Sequence, residues 1–266
     1  MKPDFVYGTA WKEERTADLI TAALHAGFRA IDTANQRKHY FEAGVGEALA
    51  DAYRKKLVQR GDLWLQTKFT YLPGQDHRLP YDPHASLTDQ VAQSMASSLE
   101  HLGTTYVDSY VLHGPAAGVW TEYDDEVWRA MVREREAGRA RVLGVSNVRM
   151  QHLAAMPEKP AFVQNRCYAR LGWDREVREW CRDNGVIYQG FSLLTANPEV
   201  FRHPLVHQIA AEHQATLPQI VFAFARGVGM LPLTGTSSPE HMQQDLASLK
   251  IQLSPEQVAA IESLVA

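Results

Sequence analysis

The chain has 266 residues, 45% of them hydrophobic and 22% charged, which fits one large core better than two small ones. A formal net charge of −4 and a pI near 6.3 give no broad positive field, so nucleic acid and anionic membranes have no electrostatic footing as partners. Cys167 and Cys181 form neither a C-x-x-C pair nor a disulfide framework, and neither a signal peptide nor an apolar run of roughly 18 residues is present, so a soluble cytoplasmic protein is expected.

In chain order, Phe5-Val6-Tyr7 reads as a first strand closed by Gly8-Thr9. The helix after it aligns Leu19, Ile20, Ala23 and Leu24 and stops at Gly27. A short buried strand within residues 28–34 ends on Asp32. A polar loop from Asn35 through His39 to Tyr40 leads into a helix over about residues 42–53. The third strand, residues 63–67, stops at Lys68. The long loop after it carries Pro73-Gly74, Pro80 and Pro83, and has the length of a lid or substrate wall. Ser86-x-x-Asp89 resembles a capping box, opening a helix with Val91, Met95, Leu99 and Leu102 on one face, ended by Gly103.

Residues 107–112 give the fourth strand, stopping at His113, and residues 126–137 a helix ended by Gly138. The fifth strand, residues 141–145, stops at Ser146-Asn147. A weaker helix over residues 150–155 leads to a sixth strand at Phe162-Val163. Asp174 can cap a helix that buries Val177, Trp180 and Cys181, and residues 186–190 form the seventh strand. His203-Pro204 opens one further helix and Pro218 another, with Ile220, Val221 and Phe224 facing inward. Residues 230–233 are the eighth strand. Ser254-Pro255-Glu256-Gln257 starts a last helix striped by Val258, Ile261 and Leu264.

Eight strands separated by helices predict a single (β/α)8 barrel domain over residues 1–266, with its chemistry at the C-terminal strand ends. An aspartate or lysine that ends a strand is often only half of a structural ion pair. Asp32, Lys68 and His113, however, end three successive strands on one side, which packing alone seldom arranges. No Rossmann fingerprint competes: Gly44-Val45-Gly46 lacks a third glycine and the downstream acid, and Gly227-Val228-Gly229 precedes a strand. His203 and His207 sit at i, i+4 with no intervening carboxylate motif, so a solvated helix face is expected there and no metal site.

Asp32-Thr33-Ala34 before Glu42-x-x-Val45-Gly46, a lysine closing the next strand, a histidine closing the one after, and Gly144-Val145-Ser146-Asn147 together resemble the aldo-keto reductases. The resemblance runs from Gly8-Thr9-Ala10-Trp11 to the loop near Thr234. It implies a TIM barrel that reduces aldehydes or ketones to alcohols by hydride transfer from NADPH, with NADH the rival and no metal. The reaction needs a proton donor at the carbonyl oxygen, and a phenol serves if an ammonium, fixed by a carboxylate, draws its pKa down from about 10. Asp32, Lys68 and a tyrosine form that set, with His113 as a second hydrogen-bond donor. The family's tyrosine stands five residues after the aspartate, where this chain has Arg37; counted back from Glu42, its place falls on His39. The loop is one residue longer than usual and Tyr40 is its only phenol, so Tyr40 is taken as the acid and His39 as the rival.

The resemblance also implies cofactor-binding positions at Gly8, Thr9, Asp32, Ser146, Asn147, Gln164, Phe191, Ser192, Leu194, Leu233, Thr234, Gly235, Thr236, Ser237, His241, Gln244 and Asp245. Ser146, Asn147 and Gln164 would meet the nicotinamide carboxamide, and Phe191 would stack on the ring where a tyrosine is usual. The lysine, serine and arginine that often bind the 2′-phosphate are replaced by Leu233, Thr234 and His241, leaving hydroxyl and backbone donors of residues 234–238 to hold it. Trp11, His39, Tyr71 and Trp120 are implied as substrate lining. A monomer acting on a small carbonyl or alcohol is the expected state. Four residues before the first strand are too few for the β-hairpin the family lays across the barrel floor, so the floor is closed differently or stands more open. The displaced tyrosine keeps a second reading in play, a nicotinamide-nucleotide sensor with little turnover.

Overall fold

The structure, a computed structural model, describes residues 3–264. Its order is β1 (Val6–Gly8), α1 (Thr16–Ala26), β2 (Ala30–Asp32), α2 (Glu42–Arg54), β3 (Trp64–Phe69), α3 (Leu87–Leu102), β4 (Val107–Leu112), α4 (Glu122–Glu136), β5 (Ala140–Ser146), α5 (Met150–Ala155), β6 (Phe162–Arg166), α6 (Arg175–Asn184), β7 (Ile187–Phe191), α7 (Pro198–Arg202), α8 (Pro204–Glu212), α9 (Leu217–Gly227), β8 (Leu231–Thr234), α10 (Pro239–Ala247) and α11 (Pro255–Glu262). The eight strands are parallel and close on themselves, β8 pairing with β1. The expected barrel is therefore present. Its strands are nearly continuous buried runs because both faces are covered, one by the interior and one by the helices.

The floor is closed from within. Val6, Ala30, Trp64, Phe162 and Leu231, each the first residue of its strand, form a buried cluster of their own. The indole of Trp64 and the ring of Phe162 lie 5.3 Å apart.

The Glu42-x-x-Val45-Gly46 motif explains how α2 is seated. Glu42 is buried and accepts hydrogen bonds from Thr67 on β3 and from Ser98 on α3 (2.9 Å), with His101 beside it at 3.6 Å. A Cβ at Gly46 would stand 1.9 Å from the His101 carbonyl oxygen, so only glycine lets α2 and α3 approach this closely.

Several boundaries differ from expectation for physical reasons. β3 continues to Phe69, so Lys68 lies inside the strand. α4 begins at Glu122 because Asp124 accepts from the backbone and hydroxyl of Thr121 at 2.8 and 2.7 Å. Asp174 does not cap α6. Its backbone is left-handed, and its carboxylate accepts from Asn165 and Tyr188, both at 2.8 Å. Trp180 is half-buried, while Arg178 is buried through bonds to the Trp173 carbonyl and to Glu262. Pro218 stands at the second position of α9, behind a capping box of Thr216 and Gln219. His203 caps α8 and His207 bonds the Phe201 carbonyl at 2.8 Å. Both cysteines are free and buried, and burial pushes both thiols up to about 12. Among the described residues no helix is long and apolar enough to cross a membrane.

Candidate active site

A cavity of about 660 Å³ opens at the C-terminal ends of the strands. Three non-glycine residues on its wall have left-handed backbones: Trp11 after β1 (φ 62°), Asn147 after β5 (φ 57°) and Ser192 after β7 (φ 57°). Such conformations cost energy that surrounding contacts must offset, and they gather where geometry is held for a purpose.

Beneath the cavity, Lys68 and Asp32 are both buried and paired, Nζ to Oδ2 at 2.7 Å. A second Lys68 N–H reaches the Thr33 carbonyl at 2.8 Å. Burial, the largest single influence, acts to lower the Lys68 pKa, but the Asp32 carboxylate and the Tyr40 phenol together outweigh it and the ammonium sits above its usual value. Lys68 Nζ lies 4.9 Å from the centre of the Tyr40 ring, which is 5.9 Å from that of His113. Burial raises the Tyr40 phenol, with the Lys68 charge working against it. Burial, reinforced by Lys68, holds His113 well below the usual imidazole value, so the ring is neutral. Its Nδ1 pairs with Thr70 Oγ1 at 2.7 Å.

The loop before α2 makes a tight turn, with the amides of His39 and Tyr40 both bonded to the Gln36 carbonyl (3.0 and 2.9 Å). His39 Nδ1 pairs with Gln36 Oε1 at 2.9 Å, and its ring lies against Trp11 at 4.0 Å. Arg37 turns away, stacked on Phe41 and facing Glu13 and Glu14.

Asp32, Tyr40 and His113 line the cavity together with Gly8, Ser146, Asn147, Gln164, Phe191, Ser192, Leu194, Leu233, Thr234, Gly235 and Thr236, and with Trp11 and His39. Thr9, Ser237, His241, Gln244 and Asp245 are not on that wall. Thr9 bonds the Asp32 carbonyl from behind at 3.0 Å, and Asp245 is buried under the loop, accepting from Thr234 Oγ1 at 2.8 Å. Tyr71 and Trp120 also stand outside the cavity; their polar ends bond Asp124 (3.0 Å) and Asp125 (2.8 Å) on α4.

The model of the Aldo/keto reductase family matches residues 6–197 and 202–266. The chain belongs to the aldo-keto reductase family. It is accordingly an NAD(P)H-dependent oxidoreductase. An aldo-keto reductase of Mycolicibacterium vanbaalenii is 31% identical over 92% of this chain and 81% of its own length. The methylglyoxal reductase DkgB of Escherichia coli O157:H7 is 27% identical over 98% of this chain and 92% of its own length. Among solved structures, an aldo-keto reductase from a Medee basin deep-sea metagenome library superposes with a TM-score of 0.84 at 21% identity, covering 99% of this chain and 91% of that one. The Bombyx mori aldo-keto reductase in complex with NADP gives 0.81 at 24% identity, covering 98% and 88%.

This aldo-keto reductase also brings to its cavity residues that sequence reasoning passed over. Lys12 reaches across from the loop after β1 to the Gly235 carbonyl, half-buried, with burial and the nearby Arg15 lowering its pKa. Arg166 lies 5.4 Å from the centre of the Phe191 ring. The signal for Arg166 was available, since it follows Gln164 by two residues and so shares its inward face. Lys12 carried no such signal, because its role depends on a loop conformation.

Proposed function

We propose that this reductase converts small aldehydes or ketones to alcohols with Tyr40 as general acid, Lys68 and Asp32 governing its proton, and His113 orienting the carbonyl. One observation carries the reading. Tyr40 packs against both Lys68 and His113, whereas His39 is tied to Gln36 and Trp11.

The cavity walls suit a nicotinamide nucleotide. Phe191 offers a flat ring, Ser146, Asn147 and Gln164 cluster as polar neighbours, and the Thr234–Thr236 stretch leads toward the start of α10. The bound cofactor supplies the hydride. The chain does the rest. Tyr40 donates its proton to the carbonyl oxygen as the alkoxide forms, and Lys68, with two N–H groups committed to Asp32 and Thr33, keeps its third for the phenolate that remains. His113, neutral and held by Thr70 through Nδ1, has Nε2 left for the same oxygen. Trp11 and His39 form an outer substrate wall.

NADPH is the proposed cofactor, in keeping with the NADP complex of the Bombyx mori relative. Lys12 adds a cation near Gly235, while Leu233 and His241 supply none of the usual lysine or arginine charge, so discrimination against NADH is expected to be weak.

Tyr40→Phe is expected to lower kcat by about 10²-fold or more with little change in cofactor affinity, and His39→Gln to cost far less. Steady-state kinetics of the two variants with an aldehyde panel provides the check. The reverse ranking would give the role to His39.

A further inference from the structure

Below the cavity mouth, the barrel interior holds a closed set of amides. Gln66 on β3, Gln164 on β6 and Gln189 on β7 are all buried around Asp32. Gln66 Nε2 donates to Asp32 Oδ1 at 2.6 Å, and Gln164 Nε2 donates to the same oxygen at 3.1 Å. Each Nε2 has a second hydrogen, and both go to Gln189 Oε1 at 3.0 Å. Gln189 Nε2 in turn donates to Gln66 Oε1 at 3.2 Å.

The directions in this set follow from one fact: Asp32 is paired with Lys68 and its carboxylate oxygens only accept. That turns the nitrogens of Gln66 and Gln164 toward Asp32. Their second hydrogens need an acceptor, which sets the oxygen of Gln189 between them, and its nitrogen then faces the oxygen of Gln66. Among the described residues, Gln164 Oε1 alone of the three amide oxygens has no protein partner, and it is not among the buried unpartnered atoms. Gln164 lines the cavity.

We propose that Gln66 and Gln189 are positioning residues that lock Gln164 with its oxygen toward the mouth, so that this wall accepts a hydrogen bond and selects a ligand carrying an amide N–H. This rests on the reading that Gln164 meets the nicotinamide carboxamide. Asp32 sets which way the Gln164 amide faces; without Gln189's acceptor the amide keeps that one tie and pivots about it, so Oε1 is no longer held at the mouth and the selection for an N–H donor is lost even though Gln164 itself is unchanged.

The test is calorimetric binding of NADP and of its 3-acetylpyridine analogue, in which a methyl group replaces the carboxamide NH2. The natural protein should prefer NADP by about tenfold. Gln189→Leu should bring the two ligands to within about twofold. Gln189→Glu, whose buried carboxyl beside Asp32 holds its proton and so reproduces both the acceptor and the donor, should retain the preference. If Gln189→Leu does not fold, as judged by its melting transition, Gln66→Met gives the same comparison. A full preference in folded Gln189→Leu, with Gln164→Ala having lost it, would overturn the positioning role and leave the carboxamide contact standing. No preference in the natural protein would overturn that contact, and the proposal with it.

Discussion

Asp245 carries a carboxyl that burial pushes up to about 6, its hydrogen bond from Thr234 and the nearby His241 working the other way. The folded value lies above the ordinary 3.8, so the associated stability is fully present below pH 3.8 and is lost as pH rises to about 6. About two pH units correspond to roughly 3 kcal/mol. Asp245→Asn is therefore expected to raise Tm at pH 8 and to leave it nearly unchanged at pH 3.5, as read by thermal melts across pH. At this scale the sequence was a good guide to residue types and a poorer one to directions. Asp32, Lys68 and His113 could be named from strand ends, because a strand fixes which way alternate side chains point, whereas Gln164 came only with the family resemblance. Tyr71, Trp120 and Asp245 could not be placed, since loops and helices have no such alternation and Asp124, Asp125 and Thr234 took their polar ends.

The elements hold their places through a few close contacts. The Gly46 backbone touches the last turn of α3, and any side chain there must push the two helices apart. Gly46→Ala is expected to destabilise by about 1–3 kcal/mol or more, the scale of overpacking a rigid contact, measured by urea denaturation with cofactor absent. The Glu42-x-x-Val45-Gly46 motif could be read as a family mark from the chain alone, but its work in seating α2 on β3 and α3 needed the partners. Helix starts were legible where a capping residue announced them, as at Ser86 and Ser254, whose hydroxyls accept the expected backbone N–H. Asp174 offered the same signal falsely. Asn165 on β6 and Tyr188 on β7, brought together by the barrel, claimed its carboxylate first.

For the molecule as a whole, alternation of strands and helices was enough to expect a closed parallel barrel, because each crossover segment is a helix and only a barrel or an open sheet accommodates that pattern. How the floor is closed was not legible: Trp64 and Phe162 are nearly 100 residues apart and meet only once the barrel has formed. Trp64→Ala should cost about 3–5 kcal/mol, visible as a lowered denaturation midpoint, while changes at the mouth such as Tyr40→Phe leave it largely unmoved.

That plug makes the barrel a vessel with a single neck. On the proposed assignment of Tyr40 as the acid, its lost proton is then expected to return by way of the mouth, past whatever is bound there, so that turnover should report on how fast the rim clears.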